Sequence, residues 1–371
     1  MTETHVYLDY NATTPLRPGV KKILIQSMED YGNPSSIHKL GRINRSRIEN
    51  TRDIFSAYFR VPPQQIYFTS GGTEANNAVI RAHPNHAIII SSIEHESVYR
   101  ASDNASHVPV TVDGQIDLAR LESILQNLSG QPILLSIMMA NNETGVLQPI
   151  QEVVQLAKKY QAVVHCDAVP ALTKIPICLE EMGVDYLTVS AHKIGGPKGC
   201  GAVILNKNIH LPSLLQGGGQ EKGQRAGTEN LMGIIGFGQA LLEAEADDWG
   251  HVAILRDLLE TIILQNAPEA VIYGKNVPRL PNTSLMAMPG VEAQKQLIFL
   301  DLNGFAVSSG SACSSGKIAG SRILKAMGVP ENSCGEAIRV SLGWETSKKH
   351  IEDFAKTWLR FYNQNKVGKG L

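Results

Sequence analysis

Six short apolar runs, QQIYFTS, HAIIISS, PILLSIMMA, QAVVHCDA, VDYLTVSA and CGAVILN, alternate with helix-patterned stretches such as IQEVVQLAKKY through the first two thirds of the chain. Runs of this length, rich in Val, Ile and Leu, read as strands buried on both faces. The helical stretches between them are the crossovers that parallel strands require. The pattern predicts an α/β domain built on a mostly parallel sheet. In such a sheet the ligand crevice lies beyond the carboxyl ends of the strands, so the residues just after each run carry the most information about chemistry.

A long amphipathic stretch from Ile234 to Gln265 leads into a second pattern. There NTSLMAM, GFAVSSG and AIRVSLG read as strands, and VEAQKQLIFLD, SRILKAMG and SKKHIEDFAKTWLRFY as helices. This predicts a smaller α+β domain, with residues 15–250 forming the large domain and residues 1–14 and 251–371 the small one. A chain of 371 residues, 43% of them hydrophobic, has enough apolar surface for both cores. Charge is balanced, with 34 Lys and Arg against 35 Asp and Glu, so no field favours nucleic acid or an anionic membrane. A small polar or zwitterionic substrate suits this balance better. No apolar run approaches the roughly 20 residues needed to span a bilayer, and MTETHVYLDYN has neither a basic nor an apolar leader segment, so a cytoplasmic location is expected.

The crevice residues form a pattern. Gly71-Gly72-Thr73-Glu74 follows IYFTS and opens a helix. Glycines let a backbone approach a ligand and helix-start N–H groups favour an anion, so this is either a phosphate site or a tight turn. Asp167 ends QAVVHCD, where its carboxylate would hold a pyridine nitrogen protonated or cap the next helix. Lys193 comes 26 residues later, where DYLTVSA runs into His192-Lys193-Ile194-Gly195-Gly196-Pro197. A lysine at a strand end, beside a phosphate site and the donors Ser190 and His192, is suited to forming a Schiff base; a surface turn would also accept it. His95, after HAIIISS, can by itself be a loop histidine that satisfies backbone groups. Arg339 lies inside the apolar run AIRVSLG, where a buried guanidinium needs an anionic partner; a ligand carboxylate would serve.

The motifs YLDYNATTP, GNPSSIH, FTSGGTEANN, EHESV, NNETG, HCDAV, SAHKIGGPKGCGAVIL, GGGQEKGQRAGTEN, SSGSACSSG and IRVSLG occur in this order between residues 7 and 343. Together they resemble the cysteine desulfurases, and more narrowly the NifS/IscS group that supplies sulfur for iron-sulfur clusters. The resemblance implies a fold-type-I pyridoxal 5'-phosphate enzyme related to class V aminotransferases, acting as a homodimer on L-cysteine and passing sulfur to an acceptor such as an iron-sulfur scaffold protein. It implies that Lys193 carries the cofactor, Asp167 contacts the pyridine nitrogen, and His95 stacks on the ring and moves protons. Gly72, Thr73, Ser190 and His192 would hold the phosphate, with Thr228 reaching it from the other subunit. Asn142 would lie near the ring hydroxyl, and Arg339 would clamp the substrate carboxylate through a bidentate pair.

The sulfur carrier implied by the same resemblance is Cys313. Eight small residues surround it in Ser308-Ser309-Gly310-Ser311-Ala312-Cys313-Ser314-Ser315-Gly316, a segment expected to be an exposed, mobile loop because it can bury little apolar surface. The other four cysteines, Cys166, Cys178, Cys200 and Cys334, show no C-x-x-C spacing, which points away from zinc; the first three sit in or beside core strands. Two positions depart from the family. Pro170 stands where glutamine is usual and offers neither a side-chain donor nor an N–H, and Trp344 stands where close relatives carry arginine. Competing readings are a small-amino-acid aminotransferase, which would not need the Cys313 loop; a selenocysteine lyase; and a degenerate scaffold, against which the retained Lys193, Asp167, His95, Cys313 and Arg339 argue.

Overall fold

A computed structural model describes residues 5–206, 209–310 and 320–367. The strands, in chain order, are β1 (Val6–Tyr7), β2 (Ile66–Thr69), β3 (Ala87–Ser91), β4 (Ser106–Val108), β5 (Ile133–Met138), β6 (Val163–Asp167), β7 (Tyr186–Ser190), β8 (Gly201–Leu205), β9 (Val271–Tyr273), β10 (Thr283–Ala287), β11 (Phe305–Ala306), β12 (Ser308–Ser309) and β13 (Ala337–Ser341). All six apolar runs of the first two thirds form strands of one seven-stranded sheet, ordered β2-β8-β7-β6-β5-β3-β4. β8 pairs antiparallel with both β2 and β7, while the pairs from β7 through β4 are parallel. Only β8 is reversed, so the carboxyl ends of β2, β7, β6, β5 and β3 gather at one edge. Every residue of β2, β5, β7 and β8 is buried, as continuous apolar runs predict for a sheet covered on both faces.

A four-stranded antiparallel sheet, β12-β13-β10-β9, forms the second unit of structure. Its core gathers Leu8 with Val252, Leu255, Leu259, Ile338, Phe354 and Trp358, whereas residues from Val20 to Leu280 form the core around the large sheet. Truncating a fully buried side chain such as Trp358 would cost about 3–5 kcal/mol. Two features differ from the sequence expectation. The Ile234–Gln265 stretch is two helices, Leu231–Ala244 and Trp249–Asn266, because Asp248 caps the second by accepting from His251 N–H. The run GFAVSSG splits: β11 pairs with β1 and β12 with β13, so one apolar run serves two sheets. Among the described residues no helix is long and apolar enough to cross a membrane.

Candidate active site

At the shared edge of the large sheet lies a cavity of about 320 Å³. Nine expected residues line it: Gly72, Thr73, His95, Asn142, Asp167, Ser190, His192, Lys193 and Arg339. Asn11, Ala12, Asn76, Ser97, Val169 and Pro170 complete the wall. Strand order brings them together, since β2, β3, β5, β6 and β7 each end here and hand over to a loop. Thr228 is not among them; it lines a separate cavity with Glu221, Arg225 and Gly227. Cys313 lies outside the described residues.

Asp167 closes β6 and is 2% exposed. Its Oδ1 accepts from Val169 N–H at 2.9 Å and its Oδ2 from Asn76 Nδ2 at 2.8 Å. Burial pushes its carboxyl upward, while these bonds together with His95 and Lys193 favour the charged form. Lys193 ends a 3-10 turn after β7, and its Nζ donates to the carbonyls of Asn11 and Ala12, the second at 2.9 Å. His192 beside it is pushed down to about 4, first by burial and then by Lys193, so it is neutral at physiological pH. His95 caps the short helix Glu96–Tyr99: its Nδ1 accepts from Ser97 N–H at 3.1 Å and lies 2.8 Å from Ser97 Oγ. His95 is thus a helix cap that also lines the cavity.

The helix Gly72–Arg81 begins with no side-chain cap at Gly71. A Cβ on Gly72 would lie 2.9 Å from Val169 Cγ2 and 3.8 Å from Ser190 Cβ, so a larger residue would crowd the channel between them. An uncapped helix start beside Ser190 and His192 is the donor set a phosphate ester requires. A buried carboxylate, a lysine and an uncapped helix start in one cavity fit pyridoxal 5'-phosphate. Across the wall, Arg339 donates from Nη2 to Asp9 Oδ1 at 2.7 Å and from Nη1 to the Asn142 carbonyl at 3.1 Å. Its burial is thus already answered inside the chain by Asp9, which corrects the argument that burial alone requires an anionic ligand. Its Nε is buried with no protein partner among the described residues, leaving one donor for a bound molecule.

Trp344 gains a structural account. Its ring lies 3.9 Å from the Arg17 guanidinium and meets Tyr10 edge-on at 5.2 Å. Arg17 in turn donates through Nε to the Ile194 carbonyl at 2.7 Å, pairs with Asp247, and takes up the space where a Cβ on Gly195 (φ +86°) would stand, 2.4 Å from Arg17 Cγ. Trp344 therefore braces the arginine that backs the Lys193 turn. The Pro170 carbonyl accepts from Lys174 Nζ at 2.8 Å; that buried amine is pushed down to about 7, chiefly by burial.

Glu94, immediately before His95, is fully buried. Its Oε1 accepts from Ser91 Oγ at 2.7 Å and Met138 N–H at 2.8 Å, while Oε2 has no partner among the described residues. Burial pushes its carboxyl from 4.5 to about 8. Between those values the folded chain holds a proton that the unfolded chain releases, so stability contributed by this group falls as pH rises through that window and is fully lost above it. Glu94→Gln keeps the Oε1 acceptor and removes the titration. Its unfolding temperature should exceed that of the wild type by a growing margin, reaching a few degrees, between about pH 5 and pH 9. Parallel profiles from thermal melts would show that Glu94 is not protonated in the fold.

A model of the class-V aminotransferase family matches residues 6–354. The cysteine desulfurase of Cereibacter sphaeroides is 40% identical over 362 residues, covering 94% of this chain and 93% of that protein. The cysteine desulfurase IscS of Dictyoglomus turgidum is 39% identical, covering 94% of this chain and 91% of that protein. Among solved structures, a NifS-like protein from Rickettsia africae superposes with a TM-score of 0.90 at 38% identity, covering 97% of this chain and 99% of that one.

Proposed function

The chain belongs to the cysteine desulfurases of the class-V aminotransferase family, and we propose that it binds pyridoxal 5'-phosphate in the Asp167–Lys193 cavity, converts L-cysteine to L-alanine there, and holds the sulfur as a persulfide on Cys313. The observation that carries the site assignment is the convergence of Asp167, Lys193, His95 and the Gly72 helix start on one cavity at the strand ends. The first N–H groups of helix Gly72–Arg81, with Thr73, Ser190 and His192, would hold the phosphate; Lys193 would make the covalent link; and the Asp167 carboxylate would keep the ring nitrogen protonated. Asn142 would serve the ring hydroxyl, for which Pro170 has no donor to offer. When bound, pyridoxal 5'-phosphate supplies the electron sink for the pair left at the substrate's α-carbon.

Each remaining task falls to a side chain. The Arg339 Nε–H receives the substrate carboxylate and fixes its orientation. The Lys193 amine would take the α-proton and return it. The Cys313 thiolate attacks the substrate sulfur; the new S–S bond forms as the Cβ–S bond breaks with its electron pair passing to carbon. A proton added at Cβ completes alanine. The described cysteines support this choice by their burial: Cys166, Cys200 and Cys334 are all raised above the ordinary thiol value by burial, which keeps them protonated and poorly nucleophilic.

The chain acts in this reading as a cytoplasmic homodimer in which Thr228 completes the phosphate site of the partner subunit. Large apolar side chains crowd the segment from Ile25 to Ile43, with Tyr31 at 85% and Ile37 at 89% exposure, which supports a covered face. Residues 15–250 carry the cofactor, and residues 1–14 with 251–371 carry the thiol. An acceptor protein for iron-sulfur cluster assembly takes the sulfur. The purified protein should be yellow and should release alanine and, with a reducing thiol, sulfide from L-cysteine in equal amounts. A colourless protein with added cofactor, or alanine without sulfide, would overturn the proposal.

A further inference from the structure

Two cavity-wall residues that lie in motifs without an assigned role, Asn76 and Ser97, form a line from Asp167 to His95. Asp167 can only accept hydrogen bonds when ionised, so the 2.8 Å contact to Asn76 Nδ2 sets the orientation of the Asn76 amide; the opposite orientation would turn Oδ1 onto a carboxylate. The second hydrogen of the same Nδ2 goes to Ser97 Oγ at 2.9 Å. Ser97 Oγ, having accepted that bond, gives its own hydrogen to His95 Nδ1 at 2.8 Å. Ser97 N–H is directed at the same nitrogen at 3.1 Å. Two donors converging on Nδ1 leave it no hydrogen of its own.

We propose that Asn76 and Ser97 are positioning residues that join Asp167 to His95 in one hydrogen-bonded line and hold His95 as the neutral tautomer with its proton on Nε2. The electrostatic setting agrees. Burial is the largest influence on His95 and disfavours its charged form, with Lys193 from the turn after β7 and Arg322 from helix Arg322–Ala326 acting in the same direction. Asp167 on β6 and Glu96 on the histidine's own helix oppose them. The polarity is the reverse of a serine-hydrolase triad, where Nδ1–H donates to a carboxylate and Nε2 is the base. Here Nε2 is a donor at rest: His95 gives a proton first and recovers it afterwards. The line also ties the orientation of the His95 ring to the carboxylate that faces the cofactor.

The inference rests on the proposed desulfurase reading, and its test separates the two. In the ¹⁵N-histidine-labelled holoenzyme, the His95 ring signals are identified by their loss in His95→Gln. Near neutral pH they should show a protonated Nε2 and a bare Nδ1. A proton on Nδ1, or on both nitrogens, would overturn the inference. Ser97→Ala and Asn76→Leu should each lower kcat for L-cysteine by about 10- to 100-fold with little change in KM or in cofactor retention, and should shift the pH profile of kcat, because ring orientation and tautomer are lost while the binding groups remain. Ser97→Thr, which keeps the hydroxyl, should restore most of the rate. Variants with wild-type kcat and pH profile, or a Ser97→Thr no better than Ser97→Ala, would also overturn it. Absence of any turnover by the wild type would sink the desulfurase reading instead, and the ring signals would still report on the line itself.

Discussion

Lys193→Ala should yield a protein in which borohydride no longer fixes the cofactor to the chain and in which turnover of L-cysteine falls by more than about 10³-fold. In the proposed reading, alanine removes both the amine that would make the covalent link and the base that would take the α-proton. Reversible cofactor binding should survive, because the Gly72 helix start, Thr73, Ser190 and Asp167 line the cavity independently of the lysine. The discriminating rival is Lys174. Its buried amine, pushed down to about 7, is partly neutral at physiological pH, yet its Nζ is engaged with the Pro170 carbonyl and it does not line the cavity. Peptide mapping of the borohydride-treated wild type should locate the adduct on Lys193; an adduct on Lys174, or one that persists in Lys193→Ala, would refute the assignment.

Much of the cavity was legible in the sequence because the information is local. A buried parallel strand announces itself as a continuous apolar run, and the chemistry of an α/β sheet sits just beyond such runs, so Gly72, Asp167 and Lys193 stood out by position; each alone also fitted a turn or a cap, and their combination and the motif resemblance, which also supplied His95, gave them roles. What stayed hidden depends on contacts between distant segments. Arg17 reaches Ile194 and Asp247, and Trp344 stacks on it, but nothing near either residue in sequence announces the other. Asp9 and Arg339, 330 positions apart, form an ion pair that only the junction of β12 with β13 and the N-terminal segment reveals. Asn76 sits in an identified motif, yet its bonds to Asp167 and Ser97 exist only because helix Gly72–Arg81 packs against β7 and against the short helix Glu96–Tyr99 that follows His95. The strands β1, β4 and β9, of two or three residues each, are too short to carry a periodic signal of their own, whereas the equally short β11 and β12 read together as the one run GFAVSSG.

Cys313→Ser should separate cofactor chemistry from sulfur transfer. The colour and the affinity for L-cysteine should remain, since Lys193, Asp167 and Arg339 are untouched. Release of sulfur should fall by orders of magnitude, because a serine hydroxyl cannot accept sulfur as a thiolate does. Among the described cysteines, Cys178 is the one left partly exposed and so the thiol best placed to compensate. It begins the short helix Leu179–Met182, and its replacement by serine should leave the rate unchanged.

Whether substrate sulfur passes to Cys313 is read by mass spectrometry of the wild-type protein after brief exposure to L-cysteine. After the remaining thiols are blocked, one added sulfur atom should be found on the peptide containing Cys313, appearing together with alanine and absent from Cys313→Ser. Added sulfur on the peptide of Cys178, Cys166 or Cys334 instead, or wild-type alanine formation by Cys313→Ser, would contradict that transfer.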